Sequence, residues 1–183
     1  MKKRKPLRFF IQKHRGRNLH YDFRLEIGRV LKSWAIPKGP SLNPADKRMA
    51  ILVADHPIEY GPFEGVIPPG NYGAGPVLLW DSGEYEFVPE PRTKKEKPPA
   101  NIEEAFRNGA LKFILHGQKC KGRWGLIRIK GKGDPWLLVK DNDDFADREI
   151  ELVDARPYSA KTHRTLEQVM EQDQKVNPKF AAS

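Results

Sequence analysis

Apolar and polar residues alternate with a period of two through the first third of the chain. In His20-Tyr21-Asp22-Phe23-Arg24-Leu25-Glu26-Ile27, the residues Tyr21, Phe23, Leu25 and Ile27 fall on one side of a strand, and His20, Asp22, Arg24 and Glu26 on the other. Comparable runs predict strands over residues 7–14, 30–36 and 48–56, the last two stopped by Pro37 and Pro57, whose rings remove a ladder donor. Residues 77–80 and 84–88 flank Asp81-Ser82-Gly83 and predict a hairpin, and further strands are expected over 110–116, 123–130 and 135–140. Residues 101–109 carry an Asn cap, a Glu three positions on and a Gly stop, which predicts a short helix. A second short helix is expected over 166–171, capped by Thr165.

Between these elements, residues 60–76 hold five glycines and four prolines in 17 positions. That density predicts an ordered loop with neither helix nor ordinary strand, its glycines serving positive φ or a close backbone approach. Residues 89–99 read as a flexible surface excursion. Many short strands and little helix predict a mainly β fold, a small closed or nearly closed antiparallel β-barrel with one or two short helices, or else a sandwich. The expected organisation is a basic tail over 1–6, the barrel over 7–141 and an acidic extension over 142–183.

The 183 residues suffice for one domain with a sizeable core, and the net charge is +9. Its distribution matters more than its size. Residues 1–50 hold 14 Lys/Arg against 3 Asp/Glu, a net +11, while the rest of the chain sums to −2. Such a one-sided field makes nucleic acid the leading partner, against the plainer reading of a solvated basic surface. The longest apolar run, residues 49–54, is far short of the roughly 20 residues of a membrane span, and no signal-peptide core follows the basic start. No membrane partner is expected. A single cysteine, Cys120, read as an incidental turn residue, is consistent with a reducing, cytoplasmic compartment. No dinucleotide or Walker-type glycine motif follows a strand, which removes nucleotide-cofactor chemistry from consideration.

The residue types on the polar side of the 20–26 strand change the picture again. Two imidazoles and a carboxylate, His14, His20 and Asp22, would leave open positions on a divalent ion, as catalysis requires. Nitrogen and oxygen donors without sulfur suit manganese, iron, cobalt or zinc, and do not rank them. Arg24, Arg48 and Lys38 would clamp phosphate, and His56, at a strand end, could donate a proton or stabilise developing charge. Each has a bland alternative as ordinary surface polarity. His20-x-Asp22 with His56 also fits the facial triad of a non-haem iron oxygenase, and the basic face fits a non-catalytic barrel that binds nucleic-acid ends. His116 and His163 have no such company.

Five motifs, taken in order, resemble a known family. They are Phe10-Ile11-Gln12-Lys13-His14, Leu19-His20-Tyr21-Asp22-Phe23-Arg24-Leu25-Glu26, Lys32-Ser33-Trp34-Ala35-Ile36-Pro37-Lys38-Gly39-Pro40-Ser41, Asp55-His56-Pro57-Ile58-Glu59-Tyr60, and the run from Phe63 to Gly75. Together they are similar to the 3′-phosphoesterase domain of bacterial and archaeal DNA ligase D, over about 7–141. The resemblance implies a small β-barrel enzyme, manganese-dependent, with cobalt or zinc as possible substitutes. It would trim DNA primer-template 3′ ends during non-homologous end joining in a prokaryotic cytoplasm. The implied reactions are removal of a 3′-terminal ribonucleoside to leave a 3′-phosphate, then removal of that phosphate to leave a 3′-hydroxyl. The resemblance also implies that His14, His20 and Asp22 hold the metal and that Arg24, Arg48 and His56 engage the scissile phosphate. Gln12, Lys38 and Tyr60 fall on further positions the family uses in substrate binding. The family often has Glu-Asp-His-Pro where this chain has Ala54-Asp55-His56-Pro57, so any task of that glutamate is absent or reassigned. No polymerase or ligase motif accompanies the module, so a stand-alone form working with a separate ligase, polymerase or Ku-type end-binding protein is expected.

Overall fold

The computed structural model describes residues 4–173, so the first half of the basic tail and the last ten residues lie outside it. Among the described residues there are nine strands: β1 (Leu7–Arg15), β2 (Leu19–Ile27), β3 (Val30–Ile36), β4 (Arg48–His56), β5 (Gly65–Ile67), β6 (Gly75–Phe87), β7 (Ala110–His116), β8 (Lys121–Arg128) and β9 (Pro135–Lys140). Three short α-helices accompany them, α1 (Ile102–Asn108) between β6 and β7, and α2 (Leu152–Ala155) and α3 (Leu166–Gln172) after β9. The strands run β1-β2-β3-β4-β9-β8-β7-β6 around the sheet, and β6 pairs back onto β1. Eight strands therefore close an antiparallel barrel, with β5 added on the free edge of β6. Closure leaves the ring no exposed edge.

The two-residue alternation sorts the barrel wall into an inner and an outer face. Phe9, Ile11, Tyr21, Phe23, Leu25, Trp34, Ile36 and Ala50 point inward and meet Leu78, Trp80, Phe113, Trp124 and Trp136 in one core. All four tryptophans are buried, Trp34 and Trp136 in edge contact with centroids 5.4 Å apart. Each side chain of this size removed from water stabilises the fold by about 2–3 kcal/mol.

Two sequence expectations are corrected on the far wall. Residues 77–80 and 84–88 form no hairpin, because both halves lie in the single 13-residue strand β6, paired to β1 from Leu7↔Tyr85 to His14↔Val77. Asp81-Ser82-Gly83 does not turn the chain but pairs in register with Ile11, Phe10 and Phe9, and a bulge at Trp80, between the Ile11 and Gln12 pairings, follows it along the ladder. The bulge shifts parity, so that Trp80 and Tyr85 both face the core. Asp81 instead accepts from the backbone N–H groups of Gln118, Lys119 and Cys120, which shapes the β7–β8 turn and buries Cys120. The Gly/Pro-rich stretch is also not strand-free: Gly65–Ile67 pairs with Gly75–Val77, because three residues at a sheet edge tolerate neighbouring prolines.

Helix α1 has the expected caps, with Glu104 N–H donating to Asn101 and Gly109 in the left-handed region at φ 74°. Helix α3 begins in a capping box between Thr165 and Gln168. The four-residue α2 carries no cap motif and was not visible in the sequence. Residues after β9 pack onto the barrel: Leu152, Leu166 and Val169 join the core, and Trp80 Nε1 donates to Arg156 O at 2.8 Å. No helix among the described residues is long and apolar enough to cross a membrane.

Candidate metal centre and anion site

The outward side of β1 and β2 carries polar residues, yet it is not a wet face. Asp22, Arg24, Gln12 and His14 are all buried, beneath the segment that runs from Pro57 to Gly75. Gln12 builds that cover: its Nε2 donates to the carbonyls of Tyr60, Gly61 and Phe63 at 3.0–3.3 Å. Phe10, Leu31 and Leu79 seal one flank of the patch, and Tyr60, Phe63, Ile67 and Val77 another.

Strand register assembles the site. His14 on β1 stands directly across from His20 on β2, and Gln12 from Asp22. The two imidazoles meet with centroids 4.9 Å apart at 64°. Asp22 Oδ2 lies 3.3 Å from His20 Nε2 and 3.7 Å from His14 Nδ1. One ligand atom from each of the three falls within 4.8 Å of the others, and together they could hold a metal ion.

The protonation pattern fits a cation at this point. His14 Nε2 donates to Gly73 O at 2.6 Å, and His20 Nδ1 to Asn18 O at 3.0 Å. Each ring thus spends its distal N–H on a backbone carbonyl and turns its other nitrogen toward Asp22, where the neutral ring offers a lone pair to an ion and the protonated ring an N–H that Asp22 accepts. Burial by itself would raise the Asp22 carboxyl, but hydrogen bonds from His14 and His20 and the charge of Arg24 hold it well below the ordinary range. A hydrogen bond to Asp22 raises the His20 imidazole above its usual value.

Arg24 lies beside this triad and is almost wholly enclosed. Its Nε donates to Gln12 Oε1 and its Nη1 to Ser33 Oγ, both at 2.8 Å, while Nη2 is 3.5 Å from Asp22 Oδ2. The Tyr60 ring covers the guanidinium, 5.1 Å from its Cζ, and His56 stacks on Tyr60 with centroids 5.1 Å apart. Desolvation, together with Arg24, pushes the His56 imidazole below its usual value and keeps it neutral. His56 Nδ1 lies 3.1 Å from Arg24 Nη1 and 2.9 Å from Ala54 O. Arg24 only donates and a carbonyl only accepts, so one ring tautomer satisfies one contact and the other tautomer the other. With Nδ1 turned to Arg24, Nε2 carries the proton.

A β-bulge brings His56 here. Val53 pairs with Ser33, but His56 pairs with Leu31, so β4 carries one extra residue and its parity flips. Without the bulge His56 would face the opposite side from Ile51 and Val53. Sequence reading had no signal for it.

The other expected residues part company. Tyr60 is in the site, whereas Lys38 is exposed in the turn after β3. Arg48 shares the inward parity of Ala50, and its guanidinium lies by Glu151 at 3.5 Å and Asp46 at 3.9 Å. The expected pairing of Arg48 with Arg24 is therefore not what the contacts give. The oxygenase triad also fails, because His56 turns to Arg24 and the ligand that joins His20 and Asp22 is His14. Glu26 lies at the far end of β2, accepting from Arg8 N at 3.1 Å. Ser33 was missed; as a polar residue opposite Arg24 in an apolar strand it was findable.

The sequence matches a family model described as the DNA Ligase D 3′-phosphoesterase domain over residues 12–128. It is 48% identical over 165 residues to the multifunctional non-homologous end joining protein LigD of Pseudomonas aeruginosa, covering 87% of this chain and 18% of that protein. The like-named protein of Mycolicibacterium smegmatis is 44% identical over 137 residues, covering 74% and 17%. The multifunctional non-homologous end joining DNA repair protein LigD of Mycobacterium tuberculosis is 41% identical over 161 residues, covering 86% and 19%. The chain thus spans less than a fifth of the length of these relatives.

Proposed function

The chain belongs to the DNA ligase D 3′-phosphoesterase domain family, and from that premise we propose that it is a divalent-metal-dependent phosphoesterase acting on 3′ ends of DNA in end-joining repair. The observation that carries this reading is the convergence of His14, His20 and Asp22 beside Arg24 and His56. A divalent ion held by those three ligands, which we assign as manganese with cobalt, zinc or iron as chemical alternatives, would supply Lewis-acid polarisation of a phosphate oxygen.

The protein's own groups do the rest. Gln12 and Ser33 fix Arg24 so that it cannot rotate, and its Nη2 edge neutralises charge on the phosphate. His56, neutral and stacked on Tyr60, offers Nε2–H to a phosphate or leaving oxygen. The buried setting makes these interactions stronger than they would be in water. Lys38 contributes a point charge at the rim. On this reading water cleaves the diester that holds a 3′-terminal ribonucleoside, leaving a 3′-phosphate, and a second water releases that phosphate and leaves a 3′-hydroxyl. A ligase and a polymerase, which use a 3′-hydroxyl as nucleophile, and a Ku-type protein, which holds the end, are the partners we assign.

Release of inorganic phosphate from a 3′-phosphorylated primer in the presence of manganese tests the reading. No release by the unaltered protein with manganese, cobalt or zinc would overturn it. Salt-sensitive binding without turnover would then identify a non-catalytic end-binding barrel.

A further inference from the structure

The loop between β5 and β6 presents a side chain that the site described above does not use. Tyr72 is 88% exposed, more than any other large hydrophobic residue among those described. Its position is nonetheless fixed. Asn71 N–H donates to Pro68 O and Ala74 N–H to Asn71 O, and the neighbouring carbonyl, Gly73 O, receives His14 Nε2–H at 2.6 Å. Gly75 has φ 126°, and a Cβ there would stand 2.0 Å from Arg15 O, so the loop is pressed against the β1–β2 turn. An exposed aromatic ring is therefore carried one residue away from backbone that orients a metal-site imidazole.

The surroundings indicate what covers it. Leu19, immediately before His20, is 41% exposed, and Met49 is 44% exposed. Met49 lies two residues before Ile51, which pairs with Ala35, itself opposite Asp22, so Met49 shares the outward face toward the His20 end. The β1–β2 turn, the β3–β4 loop and the β5–β6 loop all leave the barrel at this end. They also carry Arg17, Lys38 and Lys47, exposed and in no ion pair among the described residues. Apolar and aromatic side chains on the same barrel end as uncompensated cations match a single strand of nucleic acid, whose bases have stacking faces and whose backbone is anionic.

We propose that Tyr72 is a positioning residue, the platform on which the nucleobase of the nucleotide bearing the scissile 3′-phosphate stacks. This rests on the phosphoesterase reading for its substrate, and it adds why a nucleic-acid end would be chosen over a small phosphate ester. A base-stacking aromatic changes binding by roughly tenfold, within a range of about 5- to 100-fold.

Two readouts separate the proposal from the reading beneath it. The first is the fluorescence of 2-aminopurine placed on the 3′-terminal nucleotide of a 3′-phosphorylated primer, which stacking quenches whether or not the ester is cleaved. Quenching by the unaltered chain and by Tyr72→Phe, with loss in Tyr72→Ala, is the expected result. Equal quenching by all three, or none by the unaltered chain, overturns the proposal. The second is phosphate release, in which Tyr72→Ala should raise KM for the primer roughly tenfold and leave ribose 3-phosphate, which has no base, unaffected. An equal effect on both substrates overturns the proposal. Quenching that depends on Tyr72 without phosphate release by the unaltered chain supports the stacking site and removes the phosphoesterase reading alone.

Discussion

His14 and His20 are direct partners across the β1–β2 ladder, and their rings meet edge to face over Asp22. Strand pairing, not a flexible loop, sets their separation, so the three side chains that could hold an ion are fixed by the fold itself. Replacing one of them should remove the ion and not merely loosen it. His14→Ala, His20→Ala and Asp22→Ala should each lower primer 3′-phosphatase turnover by at least about a hundredfold. Manganese titration followed by electron paramagnetic resonance would show the parallel loss of binding, and full activity in all three would refute the metal assignment.

The carbonyl that orients His14 belongs to Gly73, in the left-handed region at φ 72°, where an added Cβ would come 3.3 Å from the His14 ring. Gly73→Ala therefore strains the loop by about 1 kcal/mol and displaces the carbonyl. Metal affinity should fall roughly tenfold while the melting temperature changes little. An unchanged manganese Kd would show that the Gly73 contact is incidental.

Gln12 is fully buried and joins Arg24 to three carbonyls of the covering loop. Gln12→Ala removes the acceptor of a buried guanidinium N–H and the donor that ties the covering loop to β1, a loss of about 2–4 kcal/mol. Urea denaturation measures it. Gln12→Glu keeps an acceptor for Arg24 but loses the donor to the carbonyls, and should recover only part of the stability.

On the metal-centre reading, proton and metal compete for His20. Its pKa is raised above 6.5, so in a chelator the His20–Asp22 contact contributes stability fully present below pH 6.5 and lost as pH rises through the folded value. Metal binding runs the other way, because the ion needs the neutral ring. Apparent manganese affinity should be full above the folded pKa and fall as pH drops through it, and calorimetric titration across that window would show the decline. Asp22, held below its ordinary value, stays ionised throughout and adds no slope there.

Arg24 and Arg48 should separate under mutation. Arg24→Ala removes the charge beside Asp22 and the support of His56, and should abolish turnover. Arg48 faces inward against Glu151 and Asp46, so Arg48→Ala should lower the melting temperature by a few degrees and leave turnover within a few-fold of the unaltered chain. Equal losses of turnover in steady-state assays would restore Arg48 to the anion site.

The sequence by itself determined a good deal. Period-two alternation reports which residues share a face, and from it came β1 to β4, the inward core and the grouping of His14, His20, Asp22 and Arg24. Local cap chemistry gave α1 and α3 for the same reason, since a cap is read within four residues. Only the tertiary structure decided the rest. Whether β6 turns at Asp81 depends on β1 lying beside it, whether His56 reaches Arg24 depends on a bulge in β4, and Arg48 is turned inward by its pairing with β9. Parity is a property of the chain, but pairing is a property of its neighbours. One inserted residue in a ladder reverses every side chain beyond it, and no local pattern records that insertion.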